Sequence, residues 1–190
     1  MTYPGTQYTA HQSVSKVTTV LSELRQGNGG NLLTGTTIHV ASLPWIKDVA
    51  KNYQRWGMRN VKIWYEPSVG TQTQGTVHLV MLRDFADADP STPVQFMNFN
   101  GAQRRSVGAK MVLPTFNTKS FLYCSRDKFD LYSETDKNDR AAGKVQVLIE
   151  GVPTTGDGSV QPTMLIGRVY MEFIPVLTGP IDAELNDAPH

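Results

Sequence analysis

Hydrophobic and polar residues alternate along two neighbouring stretches, and this period of two is the strongest structural signal in the chain. From Arg59 to Tyr65, Val61, Ile63 and Tyr65 fall on one side; from Gly75 to Arg83, Val77, Leu79 and Met81 fall opposite Thr76, His78 and Val80. Successive side chains of a strand point to opposite faces, so both stretches read as strands with an inside and an outside. Lys16 to Glu23 carries β-branched residues at strand density before Gly27 to Gly30 stop it, and Thr36 to Ser42 reads as its neighbour. Further strands are expected at Arg104 to Leu113, Ser120 to Cys124, Lys144 to Glu150 and Met164 to Ile174. One window has a helical period instead. After Pro44, Trp45, Val49, Tyr53 and Trp56 share a side opposite Lys47, Asp48, Lys51 and Arg55, and Gly57 closes the run. Asp84 to Asn100 is acidic, then proline-broken, then apolar at Val94, Phe96, Met97 and Phe99, which predicts a loop carrying a short helix. Glu134 to Arg140 and Gly151 to Pro162 read as surface loops. About eight strands with one substantial helix describe an all-β sandwich of jelly-roll type better than an α/β fold.

Composition narrows the picture without changing it. A chain of 190 residues with 39% hydrophobic and 18% charged residues suits one globular domain. The first 15 residues hold no Lys, Arg, Asp or Glu and are expected to form a mobile arm. No apolar run reaches the roughly 18 residues of a membrane span and no basic-then-apolar leader opens the chain, so a soluble, intracellular protein without membrane partners is expected. Net charge is only +1, but residues 1–110 hold 11 Lys or Arg against 6 Asp or Glu, whereas residues 111–190 hold 7 against 11. A basic face on a nearly neutral molecule is therefore expected.

Enzymatic chemistry finds little to use. His11, His39, His78 and His190 are scattered, and no nucleophile elbow or phosphate-binding glycine loop is present. The single cysteine, Cys124, ends an apolar strand and reads as a small buried hydrophobe. Trp45, Trp56 and Trp64 would be the stacking platform of a carbohydrate-binding jelly roll, the alternative reading, but their positions favour core or interface packing. Asp84, Asp87 and Asp89 crowd three carboxylates into six residues past a strand end, too few oxygens for a hard cation without a second contributor. Asp127 and Asp130 are interleaved with Arg126 and Lys128 and read as self-neutralised surface.

Tyr65, Pro67, Gly75, Val77, Leu79, Asp84 and Pro90 lie in the register of a family signature; Met81 departs from it, an aromatic residue or Ile being usual there. The pattern resembles the shell domain of icosahedral plant RNA-virus coat proteins of the tombusvirus and sobemovirus type. That resemblance implies an eight-stranded antiparallel jelly roll with a helix between its second and third strands. It divides the chain into an arm (1–15), the shell domain (16–177) and a tail (178–190), closest to the single-domain sobemovirus arrangement. It implies a coat protein that assembles with copies of itself into a small icosahedral or related capsid around single-stranded RNA, located in virions and, during assembly, in the host cytoplasm. Calcium at subunit interfaces is implied as well, with Asp84 and Asp87 matching the family's Asp-x-x-Asp pair and Asp89 as a further candidate. Packaging a long genome calls for phosphate contacts, for which Lys16, Arg25, Lys47, Lys51, Arg55, Arg59 and Lys62 are the candidates, with Arg104 and Arg105 as a second group. The chain departs from many relatives in showing no strongly basic stretch before Lys16.

Overall fold

The computed structural model describes residues 12–13, 16–26, 31–44, 46–118, 121–124, 129–153 and 163–180. Their strands are β1 (Gln12–Ser13), β2 (Val17–Arg25), β3 (Leu32–His39), β4 (Tyr53–Pro67), β5 (Thr76–Leu82), β6 (Gln103–Ser106), β7 (Met111–Val112), β8 (Leu122–Tyr123), β9 (Ala141–Glu150) and β10 (Leu165–Pro180). Three short helices accompany them: α1 (Ile46–Val49), α2 (Pro93–Met97) and α3 (Glu134–Asn138). All pairing is antiparallel, in two sheets. In the six-stranded sheet β10 lies between β4 on one side and β1 and β2 on the other, while β7 and β8 both pair with β4. The four-stranded sheet has the order β3-β9-β5-β6.

Period-two burial builds the core between the sheets. Trp56, Met58, Val61, Ile63 and Tyr65 of β4 face Val77 and Leu79 of β5 and Val145, Val147 and Ile149 of β9 in one buried cluster. Tyr65 explains one signature position: its hydroxyl, whose pKa burial pushes well above the ordinary phenol value, donates to the Val107 carbonyl at 2.6 Å and ties β4 to the turn after β6. Gly75 explains another. Its φ of +125° is open to glycine, and a Cβ there would come within 2.6 Å of Val152 Cγ2.

Four expectations are corrected. The helix predicted from Pro44 to Gly57 is only α1 and a 3-10 turn at Ala50–Asn52; Tyr53 already starts β4. Trp56 pairs with Leu177 and Leu122 and is fully buried, so ladder bonds plus burial of a large indole outweigh the helical spacing. The single strand predicted at Arg104 to Leu113 is two, because the chain turns at Val107 to Lys110 and crosses from β6 in one sheet to β7 in the other. Glu134 to Arg140 is not a loop but contains α3, whose N-cap Ser133 Oγ accepts from the Asp136 N–H at 3.2 Å. The outer side of β5 is not exposed: His78, Val80 and Leu82 are buried there.

At the termini, Gln12 and Ser13, inside the predicted arm, pair with Leu177 and Val176, and β10 continues to Pro180, past the expected domain end. Trp45, His11, His190, Asp127, Arg126, Lys128 and the body of the Gly151 to Pro162 loop lie outside the described residues.

Candidate functional site

The outer faces of the two sheets differ. Over the four-stranded sheet lies α2, started by Thr92, whose Oγ1 accepts from the Gln95 N–H, and by Pro93 in its first turn. The helix drops Phe96 onto Val80, Leu82 and Leu148, a second small core. His78 is buried beside it, its Nε2 3.1 Å from Glu150 Oε1. His39 and His78 do not meet, because β9 lies between their strands; His39 stacks on Phe129 with ring centroids 4.4 Å apart, and burial lowers its pKa below the ordinary imidazole value. Arg104 and Arg105 sit on β6 of this sheet.

The outer face of the six-stranded sheet has no such cover among the described residues. Along β4 it presents Arg55, Arg59, Lys62, Trp64 and Glu66, in alternation with the buried positions. From β10 come Arg168, Tyr170 and Glu172, and from β2 and its approach Lys16, Glu23 and Arg25. Trp64 and Tyr170, directly paired across β4 and β10, stack with centroids 5.5 Å apart, and the ammonium groups of Lys62 and Lys110 stand 5.6 and 5.7 Å from the Trp64 ring. Exposed Val20 and Val112 continue this row to either side. Seven described cations on this face (Lys16, Arg25, Arg55, Arg59, Lys62, Lys110 and Arg168) stand against three carboxylates (Glu23, Glu66 and Glu172), so the face is more positive than the whole chain.

Of the residues expected to meet phosphate, five therefore share one face: Lys16, Arg25, Arg55, Arg59 and Lys62. Lys47 and Lys51 lie on the helical segment before β4, with Lys51 Nζ 3.5 Å from Asp48. Carboxylates already engage Lys16, through Glu172 at 2.7 Å, and Arg25, through Glu23 at 3.1 Å. Arg55 instead lies 4.3 Å above the Tyr123 ring and donates to its hydroxyl at 2.8 Å. Sequence reasoning missed Lys110 and Arg168. Arg168 was legible, alternating with buried Val169 and Met171; Lys110 was not, because a turn delivers it. The three-tryptophan platform does not form: Trp56 is wholly buried, its Nε1–H donating to the Arg140 carbonyl.

The acidic loop behaves as three separate carboxylates. Asp84 Oδ1 accepts the Ala86 N–H at 2.9 Å and Asn138 Nδ2–H at 2.7 Å, and these bonds hold its pKa below the ordinary carboxylate value. Asn138 also accepts the Phe85 N–H, so α3 clamps the loop. Both oxygens of Asp89 accept from Lys144 Nζ, at 2.9 and 2.7 Å. Asp87 is exposed. Among the described residues no group of three or more His, Cys, Asp or Glu is placed to hold a metal ion. As donors for a hard cation Asp84 and Asp87 fit, being an ionised and an exposed carboxylate on one loop; Asp89 is neutralised by an ammonium group.

Comparison with known proteins gives this geometry its family. The model of the viral coat protein (S domain) family matches residues 11–182. The capsid protein of Tomato bushy stunt virus (strain BS-3) is 27% identical over 96 residues, covering 50% of this chain and 25% of that protein. The chain thus spans about a quarter of the length of that curated relative. A solved structure of Tobacco necrosis virus superposes with a TM-score of 0.76 at 17% identity, covering 94% of this chain and 100% of the other. Cocksfoot mottle virus gives 0.74 at 16% identity, covering 93% and 100%. At such identities the structural likeness speaks for the fold alone, an antiparallel capsid jelly roll.

Proposed function

The chain belongs to the viral coat protein (S domain) family, a structural and not a catalytic role, and from that premise we propose that copies of it assemble into a small icosahedral or related shell around single-stranded RNA. Assembly of this kind proceeds by mass action over many modest interfaces, each of standard size or smaller. The observation that carries the RNA part is the outer face of the six-stranded sheet, where among the described residues no helix lies and seven cations stand against three carboxylates. A polyanion is the natural complement of such a face, and phosphate contacts suit a genome packaged irrespective of sequence. Two such faces would repel one another, which disfavours their pairing as the contact between copies. The expected location is the virion, with assembly in the host cytoplasm.

At the seams between copies, calcium is proposed as a tuning ion. Asp84 and Asp87 are the donors this chain would bring, and a neighbouring copy would complete the six to eight oxygens that calcium takes. The ion would supply positive charge between crowded carboxylates; Asp84, held ionised by Ala86 and Asn138, keeps its charge at neutral pH.

Negative-stain microscopy and sedimentation of the purified chain test assembly: closed particles are expected, and a 21.0 kDa species at high concentration with RNA and calcium supplied would overturn it. Light scattering in chelator at alkaline pH tests the ion. Swelling or dissociation is expected, and particles of constant size would remove calcium from the proposal.

A further inference from the structure

The outer face of the six-stranded sheet is pitted beside a kink in β4. Asn60 takes a left-handed conformation at φ 52°, and the β4–β10 register slips between Arg59 and Lys62. The slip turns the Asn60 N–H out of the ladder, where Asn117 Oδ1 accepts it at 2.7 Å; Thr118 Oγ1 accepts the Met58 N–H at 3.1 Å. These side chains hold the segment after β7 against the sheet. What remains between is a cavity of about 300 Å³, with Arg59, Asn117, Thr118, Phe121 and Val176 around a floor at Gly57. The absence of a side chain at 57 lets Phe121 settle there: a Cβ would meet its ring at 3.2 Å.

We propose that this cavity is a base pocket for single-stranded RNA, taking one unstacked nucleobase beside the Phe121 ring while an adjoining phosphate pairs with Arg59. The proposal rests on the packaging role inferred above and specifies where on that face a nucleotide is held. The volume lies at the lower end of small-ligand sites, and the walls combine an aromatic ring and an apolar Val176 with the amide of Asn117 and a hydroxyl, the mixture such sites use. Stacking suits a packaging protein because every base has a π-face, so the contact tolerates any sequence. Charge is at hand. Arg55, Arg59 and Lys62 rise from the same face of β4 and, among the described residues, none of the three has a carboxylate partner, unlike Lys16, Arg25 and Arg168. At about 3.3 Å per residue the three cations span roughly 20 Å of strand, with the cavity between them.

The test uses the full chain with a fluorescein-labelled dodecamer of polyuridylate carrying one 5-bromouridine, titrated across salt concentrations. Phe121→Leu, which stays apolar but loses the π-face, is expected to weaken binding fivefold or more without changing the salt slope. Arg59→Gln is expected to reduce that slope by about 0.7. Val176→Met, filling the cavity from β10, should weaken binding as Phe121→Leu does, and serves as the second variant should the first fail to fold. Ultraviolet cross-links are expected on the peptide containing Phe121. If Phe121→Leu and Val176→Met bind like the parent and cross-links map elsewhere, while Arg55→Gln and Lys62→Gln still lower the slope, the pocket is refuted and RNA packaging stands. A parent chain that binds no RNA at any salt would remove packaging itself. Cross-links from Phe121 to a second copy, with RNA affinity unaltered in the variants, would give the cavity to a neighbouring subunit and overturn the proposal.

Discussion

The two sheets of this sandwich share one core but treat their outer faces in opposite ways. The four-stranded sheet buries its back under α2, with Phe96, Val80, Leu82 and Leu148 packed around His78. Among the described residues the six-stranded sheet has no such cover on its back, which carries a Trp64–Tyr170 stack among lysines and arginines. A face that is covered contributes to folding, while a face left open is available for binding. Substitutions on the two should therefore separate cleanly into stability effects and association effects.

The largest expected effect tests the covered face. Phe96→Ala should destabilise the chain by about 3–5 kcal/mol in urea unfolding, because a fully buried ring is lost over a rigid sheet. A cost below about 1 kcal/mol would mean that α2 is a loose flap and the contrast between the faces is false. Tyr65→Phe probes the core common to both sheets. It leaves the buried Val107 carbonyl without its donor and should cost about 1–3 kcal/mol by the same measurement.

On the open face, Lys62→Gln should change unfolding free energy by no more than about 0.5 kcal/mol while lowering the salt slope of RNA binding by about 0.7. A large stability loss with unaltered RNA binding would invert the assignment of the two faces. The smallest effect concerns pH. His39 has a folded pKa below its unfolded value because burial against Phe129 disfavours the charged ring, Asp130 opposing this. The unfolded state then binds more protons, so stability should fall as pH drops through the imidazole range near 6.5 and level off below the folded pKa. His39→Gln should flatten that part of the stability profile, and an unchanged profile would show that another group governs it.

Much of the fold was legible because strands with one buried face write themselves as alternation. β5 was expected at Gly75 to Arg83 and runs Thr76–Leu82, and the short helix after the acidic loop is α2. The misses have physical causes. Trp56 carried a helical spacing, but cross-strand partners and full burial decided for strand. α3 announced itself through Ser133 followed by Asp136, a capping signal read instead as loop polarity. Lys144 neutralises Asp89 across 55 residues of chain, and no local pattern could foretell that pairing.

By itself, the sequence determined that the chain is a sandwich of antiparallel strands with a basic first half, because period-two burial and charge are local properties of the chain. Only the tertiary structure decided which cations share a face, which carboxylates remain available, and where a cavity opens. These depend on strand order, on the slip at Asn60 and on which sheet a helix covers, all fixed by partners far away in sequence.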